Sequence, residues 1–188
     1  MIVEQIKQKA LRLFASKGYE ATSLDMIATE AGRKKPSLYT HFAGKEQLFL
    51  TVFHEAIAEE IRYLDAFHAE HRALPLEQAL LRLIQTYKER YMSDDHLKLI
   101  LYHGFIIPQV HEEPVKDALN RYFERKEQLV RQRLAAEAPR LAVDIDSAVL
   151  AYSNLLEGML VELIYAGADR FDRRLAGSWE VYLRGILN

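Results

Sequence analysis

The sequence predicts an all-α protein. Apolar residues recur at helical spacing along most of the chain, and no window shows the sustained period-two alternation of a half-buried strand. Of the 188 residues, 49% are hydrophobic, enough for one large domain or for a small domain joined to a larger one. The chain has no cysteine, which excludes disulfides, thiolate nucleophiles and cysteine-bound zinc.

The first predicted helix has one apolar face. Its apolar residues follow the spacing i, i+4, i+7, i+8 and are Ile6, Ala10, Leu13 and Phe14. We expect this helix to end at the segment SKGY, because Gly18 can take the left-handed conformation that commonly follows a helix.

Two shorter helices are predicted next, joined by a glycine. Thr22 and Asp25 have the spacing of a capping box before LDMIATEA, and Gly32 ends this second helix. Pro36 suits the first turn of a third helix, where its missing N–H has no partner to lose. Two short helices joined by a glycine-containing turn and packed on a preceding helix form a helix-turn-helix.

A long fourth helix is predicted after a break at residues 42–44. Its buried face is expected to comprise Leu48, Phe49, Val52, Phe53, Ala56, Ile57 and Ile61. Five more helices are expected from Pro75 to about Tyr91, from a Ser93 cap to Phe105, from Pro114 to about Ala138, from Asp144 to Ala166 and from Arg170 to Leu187. We predict a head of residues 1–46 and a body of residues 47–188, joined within the fourth helix.

Charge is distributed unevenly between these two parts. The head has eight cations and five acids, net +3, whereas the remainder has 17 cations and 22 acids, net −5. A basic head on an acidic body indicates that only the head approaches phosphate.

The start of the third helix has side chains suited to DNA. The second helix of a helix-turn-helix can enter the major groove with its N-terminal residues foremost, where Lys34, Lys35 and Ser37 lie. Lysine and serine can donate to a base edge or to a phosphate. Outside this setting, the two lysines would be ordinary solvated surface, and Tyr39 could be core. Further candidates for phosphate contact are Thr22, Ser23, Tyr39, His41 and Lys45.

From ALRLFASKGYEATSLDMIATEAG through SLYTHFAGKEQLF, the sequence resembles the tetracycline-repressor (TetR) family of bacterial transcriptional regulators. The motifs F…KG, T…IA…AG and LY.HF..K..L occur in the family's order. The resemblance implies a three-helix DNA-binding head, a helical ligand-binding body and a homodimer on a palindromic operator. Carried over by position, the DNA-contacting residues are Lys35, Pro36, Ser37, Tyr39, His41 and Lys45.

Two residues depart from the family pattern. Arg33 stands where a small aliphatic residue is usual, and Lys34 stands where a serine or threonine usually caps the third helix. The lost cap costs about 1 kcal/mol of local stability, partly offset by Pro36. Both cations add phosphate affinity, so we expect DNA binding to be sensitive to salt.

The body has no such motif, and its candidate ligand-binding residues are aromatic or polar. They lie on segments expected to surround an internal cavity, and an apolar cavity with a few polar groups suits a small ligand. Some of them are expected to be ordinary core. The set is Tyr63, Phe67, Tyr87, Tyr91, Tyr102, His103, Phe105, Tyr122, Phe123, Asn154 and Glu157.

Glu157 is the member of this set whose position most needs an explanation. With Asn154 it interrupts an otherwise apolar helix at i, i+3, so the two share a face. A buried carboxylate is costly unless it is paired. Glu157 therefore pairs with an arginine such as Arg121, lies at the rim of a dimer, or helps tyrosines to bind a cationic or aromatic effector.

The last two helices are expected to form the dimer as a four-helix bundle. Trp179 is the expected anchor, since buried tryptophan often dominates an interface. Dimerisation would set two recognition helices about 34–36 Å apart, or a multiple of that distance. The predicted interface comprises Leu155, Met159, Leu163, Leu175, Trp179, Tyr182 and Ile186.

An enzyme is disfavoured, because the sequence has no HExxH motif and no glycine-rich phosphate loop. His68 and His71 could hold a metal, but a solvated helix end explains them better, so we expect no metal and no cofactor. Without an apolar run of about 18 residues or a secretion signal, we expect a cytoplasmic protein. A ligand-responsive repressor is favoured. An activator, or a helical interaction or ligand-binding protein whose head has lost DNA binding, stays open.

Overall fold

A computed structural model describes the backbone of residues 2–105 and 112–188, with side chains described except at 104, 105 and 112. Within these ranges the chain is helical and contains no β-strand, so the predicted all-α class is confirmed. The helices are α1 (Ile2–Lys17), α2 (Leu24–Glu30), α3 (Lys35–Tyr39), α4 (Lys45–Glu70), α5 (Leu76–Tyr91), α6 (Asp95–Phe105), α7 (Glu112–Ala135), α8 (Ile145–Ala166) and α9 (Ala168–Ile186).

The predicted apolar faces of α1 and α4 are buried. All four predicted residues of α1 lie in the core, as do six of the seven predicted for α4, while Ile61 is partly exposed. The helix α1 ends at Lys17, and Gly18 follows with φ +78°, as its sequence position predicts. Gly32 likewise has a positive φ of 64° after α2.

The predicted cap of α2 is wrong by one residue. Ser23 is the N-cap, and its hydroxyl accepts from the Met26 N–H at 3.2 Å. Thr22 is buried, and its hydroxyl donates to the carbonyl oxygens of Gly18 at 2.8 Å and Leu13 at 3.3 Å. Adjacent threonine and serine are both good N-caps, so only the packing of Thr22 against the end of α1 decides between them.

The predicted cap of α6 is displaced in the same way. The carboxylate of Asp94, rather than the hydroxyl of Ser93, accepts from the first backbone N–H groups of α6 at 2.9 and 3.2 Å. At α3 the sequence prediction is confirmed, since Lys34 provides no side-chain cap and Pro36 lies in the first turn.

The chain divides into two compact units. The first comprises residues 1–62 and 93–122, and the second comprises residues 63–92 and 123–188. In the first unit, α6 and α2 pack on α1, and α3 packs on α2. In the second unit, α8 packs on α9, and both contact α5. The predicted head of residues 1–46 lies within the first unit, and its boundary with the body stays a prediction.

The helix α8 is unusually apolar. Among the described helices it is the one long and apolar enough to cross a membrane by length and composition, although half of its most apolar window is buried in the fold. A buried helix of the second unit meets the same criteria, because burial and a bilayer both select apolar side chains. No uninterrupted apolar run was expected here, and Glu157 and Glu162 do interrupt it.

We expect Gly18→Ala to destabilise the protein more than the matched variant Gly32→Ala. Both glycines have positive φ, which costs an L-residue about 1–2 kcal/mol. At Gly18 an added Cβ would also lie 2.7 Å from the Tyr102 hydroxyl oxygen, whereas nothing lies within 4 Å at Gly32. We therefore expect about 1 kcal/mol of additional loss at Gly18, measured by urea unfolding. Equal losses at both positions would contradict this role of Tyr102.

Candidate nucleic-acid interface

The exposed side of α3 and its flanking residues form a basic surface. Arg33 and Lys34 are exposed before the helix, and Tyr39, 52% exposed, ends it. Phe42, three residues after the end of this helix, is buried. We use the name DNA-recognition face for the residues that are predicted from the sequence to contact DNA and are exposed or partly exposed: Ser23, Arg33, Lys34, Lys35, Pro36, Ser37, Tyr39, His41 and Lys45.

Lys35 is already paired with an acid on α2. Its ammonium donates to Asp25 Oδ2 at 2.7 Å, and this hydrogen bond raises the pKa of Lys35. Both side chains are exposed, so solvent weakens the pair. A phosphate that binds Lys35 would therefore have to replace or share the Asp25 contact.

Lys45 joins the start of α4 to the turn after α1. Its ammonium donates to the Tyr19 carbonyl oxygen at 3.0 Å and lies 4.0 Å from the centroid of the Tyr19 ring. That ring packs against Phe14 and Phe49, with centroid distances of 6.1 and 5.0 Å. Lys45 thus has a structural role beside the DNA contact predicted for it.

Thr22 does not belong to the DNA-recognition face. Its side chain is 1% exposed and its hydroxyl donates to backbone carbonyl oxygens, so it cannot reach a phosphate from this position. Its neighbour Ser23 is exposed at the start of α2 and keeps its predicted place.

The predicted ligand-binding residues are spread over both compact units. In the first unit, His103 is buried against Phe49 and Phe53, with centroid distances of 4.9 and 6.0 Å, and Tyr122 is buried. Tyr102 lies against Gly18. The side chain of Phe105 lies outside the described part of the chain.

Tyr63 and Phe67 line a cavity of about 250 Å³ in the second unit. The Arg90 guanidinium lies 3.5 Å from the centroid of the Tyr63 ring. One face of this ring is therefore already covered by a cation. Tyr87 is buried, and Tyr91 and Phe123 are partly exposed. Among the predicted residues with described side chains, Phe67, Tyr87, His103 and Tyr122 are therefore part of the core.

Glu157 pairs with a lysine rather than with the arginine expected from the sequence. Its Oε1 accepts from Lys126 Nζ at 3.1 Å, and the Lys126 side chain is 1% exposed whereas that of Glu157 is 44% exposed. Burial lowers the pKa of Lys126, although Glu157 opposes this change. Lys126 Nζ also lies 4.9 Å from the Phe123 ring centroid, and Asn154 is exposed.

A larger cavity in the second unit contains none of the predicted ligand-binding residues. It has a volume of about 490 Å³ and is lined by Asp65, His68, Ala69, Arg72, Arg125, Leu129, Gln132, Arg133 and Ala136. Burial lowers the pKa of His68 to about 4, and the positive charge of Arg133 adds to this effect. The lining residues on α7 recur at intervals of three or four, at Arg125, Leu129, Gln132 and Arg133. The sequence prediction missed them because it considered mainly aromatic side chains.

The predicted dimer interface requires revision. Met159, Leu163, Leu175, Tyr182 and Ile186 are buried within the chain itself, where they are not available to a second copy. Stripes of apolar residues on consecutive helices fit an internal contact as well as an external one, so their spacing could not distinguish the two. The large apolar side chains exposed on α8 and α9 are Leu150, Tyr165 and Val181, with Leu155 and Trp179 partly exposed.

The head matches a known family. Residues 6–52 match the model of the bacterial regulatory proteins of the tetR family. The chain is 45% identical over 65 residues to the HTH-type transcriptional repressor ComR of Escherichia coli, a match covering 35% of this chain and 28% of ComR. The chain spans less than half of the length of the first curated relatives that it matches, at most 49%.

The fold of the whole chain matches solved structures of regulators. A regulator from Mesorhizobium loti assigned to the TetR family is 25% identical with a TM-score of 0.70, and the match covers 100% of this chain and 97% of that one. FadR of Bacillus subtilis in complex with stearoyl-CoA has a TM-score of 0.71 at 17% identity, covering 97% and 98%. In its head and in its helical fold, this chain therefore resembles the TetR family of bacterial transcriptional regulators.

Proposed function

We propose that the chain is a cytoplasmic, ligand-responsive repressor that binds palindromic operator DNA as a homodimer. The observation that carries this proposal is the basic, exposed N-terminal end of α3 in a head that matches the family's DNA-binding domain. ComR, which the head resembles, is a transcriptional repressor, and this supports the proposed repression. FadR, which has the same fold, was solved in complex with stearoyl-CoA, and this supports the proposed response to a ligand.

For dimerisation we propose the outward faces of α8 and α9. Leu150, Tyr165 and Val181 are 55%, 69% and 72% exposed there, and Trp179, two positions before Val181, is partly exposed. Aromatic and aliphatic side chains exposed on adjacent helices are suited to an isologous interface between two copies. Two heads are needed because a palindromic operator presents two half-sites.

The effector would act through its differential affinity. A small molecule releases the operator only to the extent that it binds the form unable to fit both half-sites more tightly than the form that fits them. The same coupling requires that operator DNA weakens effector binding by an equal factor.

Selection of genomic fragments tests the proposal directly. Purified protein is mixed with genomic DNA in moderate salt with competitor DNA, and the retained fragments are sequenced. Enrichment of an inverted repeat is expected, with half-sites spaced by about one helical turn or a multiple of it. Uniform retention, or none in the absence and presence of cell metabolites, would contradict a specific regulator and favour a head that has lost DNA binding.

We expect Asp25→Asn to tighten operator binding by about two- to fivefold, since it removes an acid beside phosphate and frees Lys35. The change should also steepen the salt dependence. Glu30→Gln removes one negative charge from the exposed other end of the same helix and serves as the matched control. Fluorescence anisotropy with the selected operator measures both, and equal effects of the two variants would contradict a specific role for Asp25.

A further inference from the structure

We propose that the 490 Å³ cavity of the second unit binds a small organic anion through Arg72, Arg125 and Arg133. The inference rests on the proposed function, because it specifies the chemical class of the effector. The ligand would have a carboxylate or phosphate group and a compact apolar body.

The charge of the cavity lining carries the first step. Three arginines and one carboxylate, Asp65, line it, so the lining has a net charge of +2 when His68 is neutral. Burial keeps His68 neutral near pH 7, because its pKa is lowered to about 4. Asp65 pairs with Arg125 through contacts of 2.6 and 2.8 Å, and this leaves the charges of Arg72 and Arg133 without an acid among the lining residues.

The arrangement of the arginines carries the second step. Arg133 is fixed because its guanidinium donates to the backbone carbonyl oxygens of Arg72, at 2.7 Å, and Leu74. These carbonyl oxygens accept from Nη1 and Nη2 of Arg133 without neutralising its charge. Arg72 is exposed and forms no ion pair in the described part of the chain. A planar guanidinium with free donors is well suited to bind a carboxylate or phosphate with two hydrogen bonds.

Two buried polar atoms carry the third step. Within the described ranges, His68 Nε2 and Arg133 Nε are inaccessible to solvent and have no hydrogen-bond partner. Buried polar atoms are normally paired, and an unpaired one calls for an explanation. Both residues line this cavity, so a small shift of the lining side chains would let oxygens of one bound anion accept from Arg133 Nε and from His68 Nε2 in the tautomer that carries its proton there.

Apolar lining residues define the rest of the ligand. Ala69, Leu129 and Ala136 contribute methyl and isobutyl groups to the wall, and the volume lies in the range of small-molecule sites. A cationic effector, which the sequence allowed, would meet like charge here. The carboxylate that suggested it, Glu157, already accepts from Lys126.

Calorimetric titration with four matched compounds tests the inference. The probes are 2-naphthoate, 2-naphthyl phosphate, neutral 2-naphthamide and cationic 2-naphthylmethylammonium, each added to the full chain without DNA. We expect one or both anions to bind about tenfold or more tightly than the amide, because charge-assisted hydrogen bonds are the stronger ones. The ratio of the two anions distinguishes a carboxylate from a phosphate ligand. No binding of either anion, or equal binding of anion and amide, would overturn the inference.

Substitution locates the bound anion. Arg72→Gln is expected to weaken 2-naphthoate binding about tenfold without unfolding the chain, because Arg72 is exposed and unpaired. Arg131→Gln makes the same change on an exposed residue of α7 that pairs with Asp146 outside the cavity, and should leave binding unchanged. Unchanged binding by the Arg72 variant, or an equal loss in the control, would overturn the inference.

Operator release is measured separately, so the two proposals can fail independently. If anions bind with the expected arginine dependence but never release the operator, the anion site stands and the ligand-responsive function is contradicted. If a neutral or cationic metabolite releases the operator and binds unchanged to the Arg72 variant, the function stands and the anionic effector is overturned.

Discussion

Replacing Lys34 and Lys35 together with glutamine is expected to weaken operator binding by about 4,000-fold at 0.1 M salt, because the proposed homodimer loses four lysines. Each lysine that contacts a phosphate contributes about 0.9 to the slope of log K against log salt, which is nearly tenfold in affinity at this salt concentration relative to 1 M. The slope should therefore decrease in magnitude by about 3.6. Anisotropy titrations of operator DNA at several salt concentrations measure both quantities.

A control with the same change in net charge separates contact from general electrostatics. Arg131 and Arg140 are exposed in the other compact unit, outside the faces proposed for DNA and for dimerisation, and their double replacement with glutamine removes two positive charges per chain as well. We expect it to change operator affinity less than about twofold, because neither residue belongs to the DNA-recognition face and salt screens the other exposed charges. If both double variants lose the same affinity, the DNA-recognition face is assigned to the wrong residues.

Glu157→Gln is expected to destabilise the fold by about 2 kcal/mol. Removing one partner leaves the buried ammonium of Lys126 with a weaker acceptor, and the cost is lower than for a fully buried pair because Glu157 is 44% exposed. In contrast, Lys126→Met should be neutral or stabilising, since methionine fills the same space without a charge to desolvate. Urea unfolding of both variants measures the two effects.

The double variant tests whether the two effects share one origin. When Lys126→Met is already in place, Glu157→Gln should lower the free energy of unfolding by less than about 0.5 kcal/mol, because position 126 then carries no buried charge that needs Glu157 as a partner. A cost that persists undiminished in the Lys126→Met background would show that Glu157 stabilises the fold through other contacts.

The pH dependence of the same pair has a definite sign. Burial places the pKa of Lys126 below its ordinary value of 10.5, so above that lowered pKa the unfolded chain binds more protons than the folded one. Below the lowered pKa, the buried ammonium of Lys126 destabilises the folded state by its full amount. As the pH rises from the lowered pKa to about 10.5, this destabilisation is lost and the free energy of unfolding increases. The difference between wild type and Lys126→Met isolates this contribution from buried tyrosines such as Tyr152, whose raised pKa acts in the opposite direction.

Local patterns predicted the head well. Helical spacing identified the buried faces of α1 and α4, Gly18 and Gly32 identified the ends of α1 and α2, and Pro36 identified the start of α3. The errors fall where two neighbouring residues have the same local preference, as at the caps of α2 and α6. Packing against another segment decides such cases, and a local pattern carries no information about it.

The body was predicted less well for a related reason. Its helices were correctly expected, yet four residues proposed for a pocket, Phe67, Tyr87, His103 and Tyr122, are core, and five residues proposed for the dimer are buried inside the chain. Apolar side chains look alike in a sequence whether they face a core, a ligand or a second copy. Only the partner across the contact differs, and it lies far away in the chain.

The amino-acid sequence alone predicts the helical class, the helix-turn-helix, the basic start of α3 and the resemblance to the TetR family, because these depend on short-range spacing and on turn residues. Tertiary structure decides that Asp25 holds Lys35, that Glu157 accepts from Lys126 and that three arginines surround one cavity. These arrangements join residues that are distant in sequence, 31 positions apart for the second pair. A charge acquires its partner, its pKa and its ligand only when packing brings such residues within a few ångströms of each other.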